Sequence, residues 1–243
     1  MSQERTAEAF VLKRSDSGES DRRLTLLTRE YGKVDVIAKG ARKSGSRLAG
    51  SSEPLVKGIY TFAEGRARRF LTSVQPLTSN PAIRADYDRL VAALAWAELM
   101  LTVLPYESPE EDHYDLFSEV LHLLEKHENW RSAYVWGAAK LLLQEGNHPD
   151  WLACVATGES ALTRPCYVSP MAGGRVDSSS LGKWHDVIEV SPEAIIALAR
   201  LNDLAEPPKT FATIEEVMNV QFQLWRSILE KPLKAYQGLV YGS

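Results

Sequence analysis

The chain has 243 residues, of which 44% are hydrophobic and 25% charged, a composition typical of globular proteins and not of disordered ones. It contains no apolar run near the roughly 20 residues of a membrane span, and its N-terminus is too polar for a secretory signal. Its two cysteines cannot form a disulfide framework, so we expect the reducing cytoplasm as its location.

The charge is distributed unevenly along the chain. The formal net charge is −4, but residues 1–80 carry 15 Lys and Arg against 9 Asp and Glu, whereas residues 81–243 carry 13 against 23. A basic first third beside an acidic remainder suggests a module that binds a polyanion. The alternative is that these basic side chains only solvate the faces of strands.

Residues 8–77 alternate between apolar and polar positions as short strands do. Val34, Val36 and Ala38 share a face in the third segment, and Phe70, Thr72 and Val74 share a face in the fifth. Five short strands with glycine between them predict a small closed barrel, for which the OB-fold is the commonest five-stranded form. An SH3-like barrel fits the same spacing. The segments are Ala9–Leu12, Leu24–Thr28, Lys33–Lys39, Val56–Phe62 and Phe70–Val74.

A cationic loop lies between the third and fourth predicted strands. Residues 39–47 combine glycine and serine, which allow close approach of the backbone, with the cations Lys39, Arg42, Lys43 and Arg47. Such a loop can follow a phosphate backbone and release its counterions. The alternative is an exposed hairpin loop kept soluble by its charges.

After residue 81 the apolar period changes to about 3.6, which predicts helices. Short links between them favour antiparallel neighbours in a bundle. Thr213 and Glu216 have the spacing of a capping box for the last long helix. The helices are expected to begin near Tyr87, Pro109, Trp130, Pro192 and Ile214.

Residues 148–186 show no regular period and are rich in proline, glycine and serine. About 40 residues with little regular structure are unusual inside a compact protein. We therefore divide the chain into a barrel at 1–80, helices at 81–147 and 187–243, and an insertion at 148–186.

The sequence has no catalytic constellation with good spacing. It lacks His-Glu-x-x-His, Gly-x-Ser-x-Gly and a dinucleotide fingerprint. Cys154 could act as a nucleophile with His148 or His185, but its apolar neighbours favour a small buried residue with an ordinary or raised pKa. The sequence therefore predicts a protein that is not an enzyme.

Several short segments carry a resemblance by their order and spacing. The most specific are Thr28–Lys33, Ala38–Lys43 and Ser46–Leu48, accompanied by Glu8–Lys13, Gly18–Arg22, Glu53–Leu55 and Leu229–Tyr236. Together they resemble the RecO family of bacterial DNA repair proteins over nearly the whole chain. The resemblance implies an α+β protein with an N-terminal OB-fold, a helical bundle and a zinc-ribbon-like insertion.

The resemblance also implies a function in DNA repair and recombination. RecO-like proteins bind single- and double-stranded DNA, anneal complementary strands, and with RecR help load RecA on strands coated by single-stranded-DNA-binding protein. We therefore expect a non-catalytic, cytoplasmic and nucleoid-associated mediator. The alternatives are a protein–protein adaptor whose helical body docks partners while the barrel is structural, and an RNA-binding OB protein. The expected DNA-binding residues are Lys39, Arg42, Lys43, Arg47, Arg22, Arg23, Arg66, Arg68 and Arg69.

The insertion departs from the family at its zinc ligands. Where the family has two Cys-x-x-Cys pairs, this chain has Cys154 with Thr157 and Asp177 with Ser180, so three of four thiolates are missing. Thr and Ser are poor zinc ligands, so we predict no cofactor. The alternative is an irregular zinc site formed by Cys154, Cys166, Asp177 and His148, with His185 as a further candidate.

Overall fold

A computed structural model describes residues 4–162 and 164–241 and has an α+β architecture. The chain divides between Leu121 and His122 into two compact units. Among the described residues, no helix combines the length and the apolar character needed to cross a membrane. The domain boundaries predicted at residues 80, 147 and 186 stay predictions.

Five strands of the first unit close into a barrel with the order β1-β2-β3-β5-β4, and β4 pairs with β1 to complete it. All pairs are antiparallel except β3 with β5. This arrangement confirms the predicted five-stranded OB-fold barrel. The strands are β1 (Glu4–Ser17), β2 (Asp21–Thr28), β3 (Gly32–Ala38), β4 (Lys57–Glu64) and β5 (Arg69–Thr78).

The inner face of the barrel follows the predicted alternation in β3 but not in β5. Val34, Val36 and Ala38 all belong to the buried cluster. In β5, however, Leu71 is buried and Thr72 is exposed. The pairing of β4 with β5 shifts register beside Thr72, and a bulge of this kind reverses the alternation. The shared face predicted for Phe70, Thr72 and Val74 was therefore wrong.

Helices of the first unit pack against strands β1 and β3 of the barrel. Phe10 of β1 packs edge-on against Phe117, with ring centroids 5.0 Å apart. Lys33 of β3 is only 4% exposed, and its Nζ donates to the Leu101 carbonyl at 2.6 Å. The helices that begin in this unit are α1 (Leu48–Ser51), α2 (Pro81–Ala85), α3 (Tyr87–Val103) and α4 (Glu111–Lys126).

The second unit contains four further helices, which the 3.6-residue period largely predicted. Ser191 caps α6, since its side chain accepts from the Ala194 amide. The capping box of α7 was wrong, because Thr213 makes no capping bond and Glu216 accepts instead from the Ser191 amide at 2.6 Å. The helices are α5 (Trp130–Gln144), α6 (Pro192–Arg200), α7 (Ile214–Leu229) and α8 (Lys234–Tyr241).

The segment predicted as irregular, 148–186, contributes two of the three strands of a small antiparallel sheet, and the third strand lies just beyond it. The strands are β6 (Cys166–Ser169), β7 (Gly174–Val176) and β8 (Ile188–Val190), in the order β7-β6-β8. A 3-10 helix over Ser178–Lys183 separates β7 from β8. Strands of three or four residues are too short to show a period of two in the sequence.

Candidate nucleic-acid interface

The cationic loop 39–47 is held against the turn between β1 and β2. Asp21 Oδ1 accepts the Gly40 amide at 2.8 Å, and the Ser20 carbonyl accepts the Arg42 amide at 2.9 Å. The Gly40 hydrogen bond, with the nearby charges of Lys39 and Lys43, holds the pKa of Asp21 below its usual value. The carboxylate therefore stays ionised and fixes the start of the loop.

Six of the nine predicted DNA-binding cations are exposed and free of acidic partners among the described residues. Three lie in the loop, one on the outer face of β2, and two in the turn between β4 and β5. Because the loop continues β3 and β5 runs beside β3, these groups lie on and around the outer face of β2 and β3. They are Lys39, Lys43, Arg47, Arg23, Arg66 and Arg68.

The other three predicted cations bind groups of the protein itself. Arg42 donates to the Gly18 carbonyl at 3.0 Å and pairs with Asp16 at 3.4 Å, with 37% of its side chain exposed. The side chain of Arg22 is 14% exposed, and its Nη1 lies 3.1 Å from Glu53 and 2.7 Å from Ser52 Oγ. This position favours a structural role for Arg22 over a contact with DNA.

Arg69 links two parts of the first unit. Its guanidinium pairs with Glu64 at 3.1 Å and with Glu107 at 2.8 Å. Burial opposes the charge, but the hydrogen bonds to Glu107 and Glu64 outweigh it and raise the pKa of Arg69. The Arg69 side chain is 20% exposed and holds the start of β5 in place. Its charge is already neutralised by these carboxylates, so it is not available to a phosphate.

A cleft of about 350 Å³ opens on the outer wall of the barrel. It lies beside β3, the start of β5 and the β4–β5 turn, within the first unit. Arg23, Arg66 and Arg68 contribute cations to its lining, and Asp35 contributes a carboxylate. In OB-folds the face of the second and third strands and the loop between the fourth and fifth bind oligonucleotides, and the cleft lies at this position.

One aromatic ring lies beside these cations. Phe70 is opposite Ile37 in the β3–β5 pair, and Ile37 is opposite Arg23 in the β2–β3 pair. The ammonium of Lys39 lies 4.4 Å from the centroid of the Phe70 ring. By contrast, Tyr60 and Phe62 are fully buried in the barrel, so they cannot stack on a base.

Sequence reasoning found the cations of this surface but missed Asp35 and the cleft. The alternation of β3 does place Asp35 on the face opposite the core, and this is the signal that could have identified it. The cleft itself has no local signal, because its walls come from four separate segments of the chain, at Arg23, 35–37, 64–69 and Glu107.

The positions that correspond to the family's zinc thiolates lie together, linked by hydrogen bonds. Thr157 Oγ1 donates to Asp177 Oδ2 at 2.6 Å, and Ser180 Oγ donates to the Asp177 carbonyl at 2.9 Å. The bond from Thr157 is the main cause that lowers the pKa of Asp177. Hydrogen bonds to Asp177 therefore link these positions to one another.

The thiol of Cys154 belongs to the same group. Burial raises its pKa, but hydrogen bonds from the Thr157 side chain and from the amides of Ala156 and Thr157 outweigh burial and lower it. Cys154 is buried, as predicted, but the expectation of an ordinary or raised pKa was wrong.

Arg175 provides the cation of this segment. Its side chain is 3% exposed, and Nη1 donates to Asp177 Oδ1 and to the Ala161 carbonyl, both at 3.0 Å. Nη2 donates to the Leu152 carbonyl at 3.1 Å and also to the Glu159 carbonyl. A buried guanidinium thus joins the loop before β6 to the residue after β7.

These residues do not fit a zinc ion. Across the described parts of the chain, no group of three or more His, Cys, Asp or Glu side chains is placed to hold a metal. The irregular site of Cys154, Cys166, Asp177 and His148 is therefore not assembled. The guanidinium of Arg175 on Asp177 also opposes a second cation there.

Comparisons with known proteins match the chain along most of its length. A family model described as "Recombination protein O N terminal" matches residues 1–80, and one described as "Recombination protein O C terminal" matches residues 84–219. A DNA repair protein RecO of Nostoc punctiforme is 34% identical over 175 residues, which cover 70% of this chain and 58% of the relative.

Two further relatives carry the same description. The RecO protein of an Exiguobacterium species is 32% identical over 68% of this chain and 66% of its own length. That of Heliobacterium modesticaldum is 34% identical over 80% of this chain and 72% of its own length. The chain thus spans less than two thirds of the first two of these three relatives.

Proposed function

The chain belongs to the RecO family of DNA repair proteins, and from this premise we propose that it binds DNA through the barrel and anneals complementary strands without catalysing a bond-making step. The observation that carries the proposal is the set of six exposed cations on and around the outer face of β2 and β3. Their charges are available to phosphates because, among the described residues, none forms an ion pair with a carboxylate.

Charge neutralisation is the proposed mechanism of annealing. Two complementary strands repel each other through their phosphates, and bound cations replace the counterions that otherwise screen them. Contacts to phosphates carry no sequence information, so these cations should contribute the same affinity to strands of any sequence. The loop 39–47 suits this role, since it presents Lys39, Lys43 and Arg47 on a backbone fixed by Asp21.

The partners proposed for this activity follow from the family. With RecR, the protein would help load RecA on single-stranded DNA that carries single-stranded-DNA-binding protein, and it would work at the nucleoid. The resemblance supports this sequence of events.

The experiment is a comparison of two triple variants with equal changes in charge. Lys39→Gln, Lys43→Gln and Arg47→Gln remove the loop cations, whereas Lys126→Gln, Arg164→Gln and Lys209→Gln remove three exposed cations of the second unit, 63%, 72% and 76% exposed. Affinity for a labelled single strand is measured against salt concentration. The loop variant should lower the salt slope by about 2, since each single-strand phosphate contact contributes about 0.7.

Annealing of complementary labelled oligonucleotides should slow in the loop variant and stay unchanged in the control. If the loop variant kept the wild-type slope and annealing rate, the loop would not belong to the site, and the adaptor alternative would gain. Competition with RNA of the same sequence tests the other alternative. Unlabelled DNA should displace the labelled DNA strand at a lower concentration than RNA does. If RNA displaced it at the lower concentration, the RNA-binding alternative would be favoured.

A further inference from the structure

The β3–β5 junction of the barrel leaves a cleft open. These two strands pair at only two positions, Val36 with Arg69 and Ile37 with Phe70. The β4–β5 turn folds tightly beside the junction, because Gly65 lies so close to the Arg68 carbonyl that a Cβ would stand 2.7 Å from its oxygen. The result is the cavity of about 350 Å³ on the outer wall.

The charges inside the cleft are not all free. Arg69 pairs with both Glu64 and Glu107, and Arg5 pairs with Glu64 at 3.2 Å, so two guanidinium groups balance these two carboxylates. This leaves three guanidinium groups, Arg23, Arg66 and Arg68, without an acidic partner among the described residues.

One carboxylate of the cleft keeps a free acceptor. Asp35 Oδ1 accepts from the Thr25 hydroxyl at 2.7 Å, and the Tyr106 hydroxyl lies 3.5 Å from the same oxygen. Within the described residues, Asp35 Oδ2 takes part in no hydrogen bond. The cleft therefore offers both anion-binding donors and one carboxylate acceptor.

This combination matches a nucleotide. Guanidinium groups bind two phosphate oxygens at once through parallel N–H donors. A carboxylate beside them would repel a simple anion, so the expected ligand also carries a hydrogen-bond donor. A carboxylate accepts hydrogen bonds from the exocyclic amino groups of bases, cytosine above all. Phe70, at the edge beside Gly65 and under the Lys39 ammonium, adds an apolar ring against which a neighbouring base can pack.

We propose that this cleft is a subsite for one unstacked nucleotide of a single strand, with the phosphate on Arg23, Arg66 and Arg68 and an amino-bearing base on Asp35. The inference rests on the proposed function. A cavity of this size admits a nucleotide and not a duplex, and a paired base would have to leave its stack at a cost of a few kcal/mol. The cleft therefore selects single strands, whereas the loop 39–47 serves single and double strands alike.

The first test compares the variant Arg23→Gln, Arg66→Gln, Arg68→Gln with the loop variant of equal charge. Affinities for a single-stranded 20-mer and for its duplex are measured at one salt concentration. The cleft variant should weaken single-strand binding at least fivefold more than duplex binding. The loop variant should weaken both by similar factors. Equal losses on both substrates in the cleft variant would overturn the inference.

The second test replaces the carboxylate acceptor of Asp35 by an amide of the same shape. Wild-type protein should bind oligo-dC about threefold to tenfold more tightly than oligo-dT, the range expected of one typical hydrogen bond. In Asp35→Asn, the Thr25 hydroxyl holds the amide oxygen and leaves the amide NH₂ for the base, so the preference should vanish or reverse. The ratio does not depend on net charge, because both oligonucleotides carry the same number of phosphates.

The two proposals fail differently. The subsite would be ruled out if wild-type protein bound dC and dT equally and the cleft variant lost single-strand and duplex affinity equally. That result would leave the proposal for the cationic surface intact. An unaltered salt slope in the loop variant would remove the loop from the proposed function. Binding unaffected by either triple variant would remove the barrel from DNA binding altogether.

Discussion

Replacing Arg175 by methionine is expected to destabilise the segment that contains β6 and β7. The substitution keeps most of the apolar stem but removes donors to three carbonyls and to Asp177. Breaking a buried ion pair costs about 3–5 kcal/mol. The side chain of Asp177 is 21% exposed and can regain water, so we expect about 3 kcal/mol, at the lower end of that range.

Hydrogen exchange under native conditions measures this effect residue by residue. A thermal or denaturant midpoint would be ambiguous, because the chain has two compact units that can unfold separately. The informative amides are those of Cys154, Val155 and Gly158, which bond to carbonyls within the same segment. A loss of about 3 kcal/mol corresponds to exchange roughly 100-fold faster, at about 1.4 kcal/mol for each factor of ten.

The matched control is Arg164→Met. That guanidinium is 72% exposed and pairs with Glu193 at the surface, so its loss should cost no more than about 1 kcal/mol and accelerate exchange less than about fivefold. Unchanged protection in the Arg175 variant, or equal effects of the two substitutions, would refute the argument that Arg175 holds this segment together.

Two further predictions concern the metal and the glycines. Metal analysis should find no stoichiometric zinc in purified protein, and EDTA should leave its thermal unfolding unchanged; one zinc per chain, or a lowered Tm in EDTA, would contradict the hydrogen-bonded arrangement around Asp177. Gly32→Ala should destabilise the first unit by about 3 kcal/mol in urea titrations, because Gly32 has φ +66° and a Cβ would overlap the Ser108 carbonyl. Gly18→Ala, with φ +74° and open space around it, should cost only about 1–2 kcal/mol, and equal losses at both positions would refute the overlap.

Much of the barrel was predictable because its information is local. A period of two marks a strand that faces the core with one side, and the core residues of β3, Val34, Val36 and Ala38, follow it. The cations of residues 39–47 were equally visible, since a run of charged and small residues between two strands is exposed wherever the strands lie. Short links and the 3.6-residue period predicted the helices in the same way.

Tertiary structure alone decided which residues the site contains. In the sequence, Arg22 and Arg69 cannot be told apart from the neighbouring free arginines. In the fold, they form ion pairs with carboxylates from distant segments, Arg22 with Glu53 and Arg69 with Glu107. Glu216 binds Ser191, the N-cap residue of α6, and does not cap its own helix, because a partner from another element outcompetes the local one.

The sequence by itself determined that the first third is a cationic barrel, because alternation and charge are properties of neighbouring residues. The bulge that turned Thr72 outward, the cleft beside Asp35 and the burial of Arg175 depend on which segments the fold brings together. Pairing partners, unlike periodicity, lie far apart along the chain, and only the folded structure decides them.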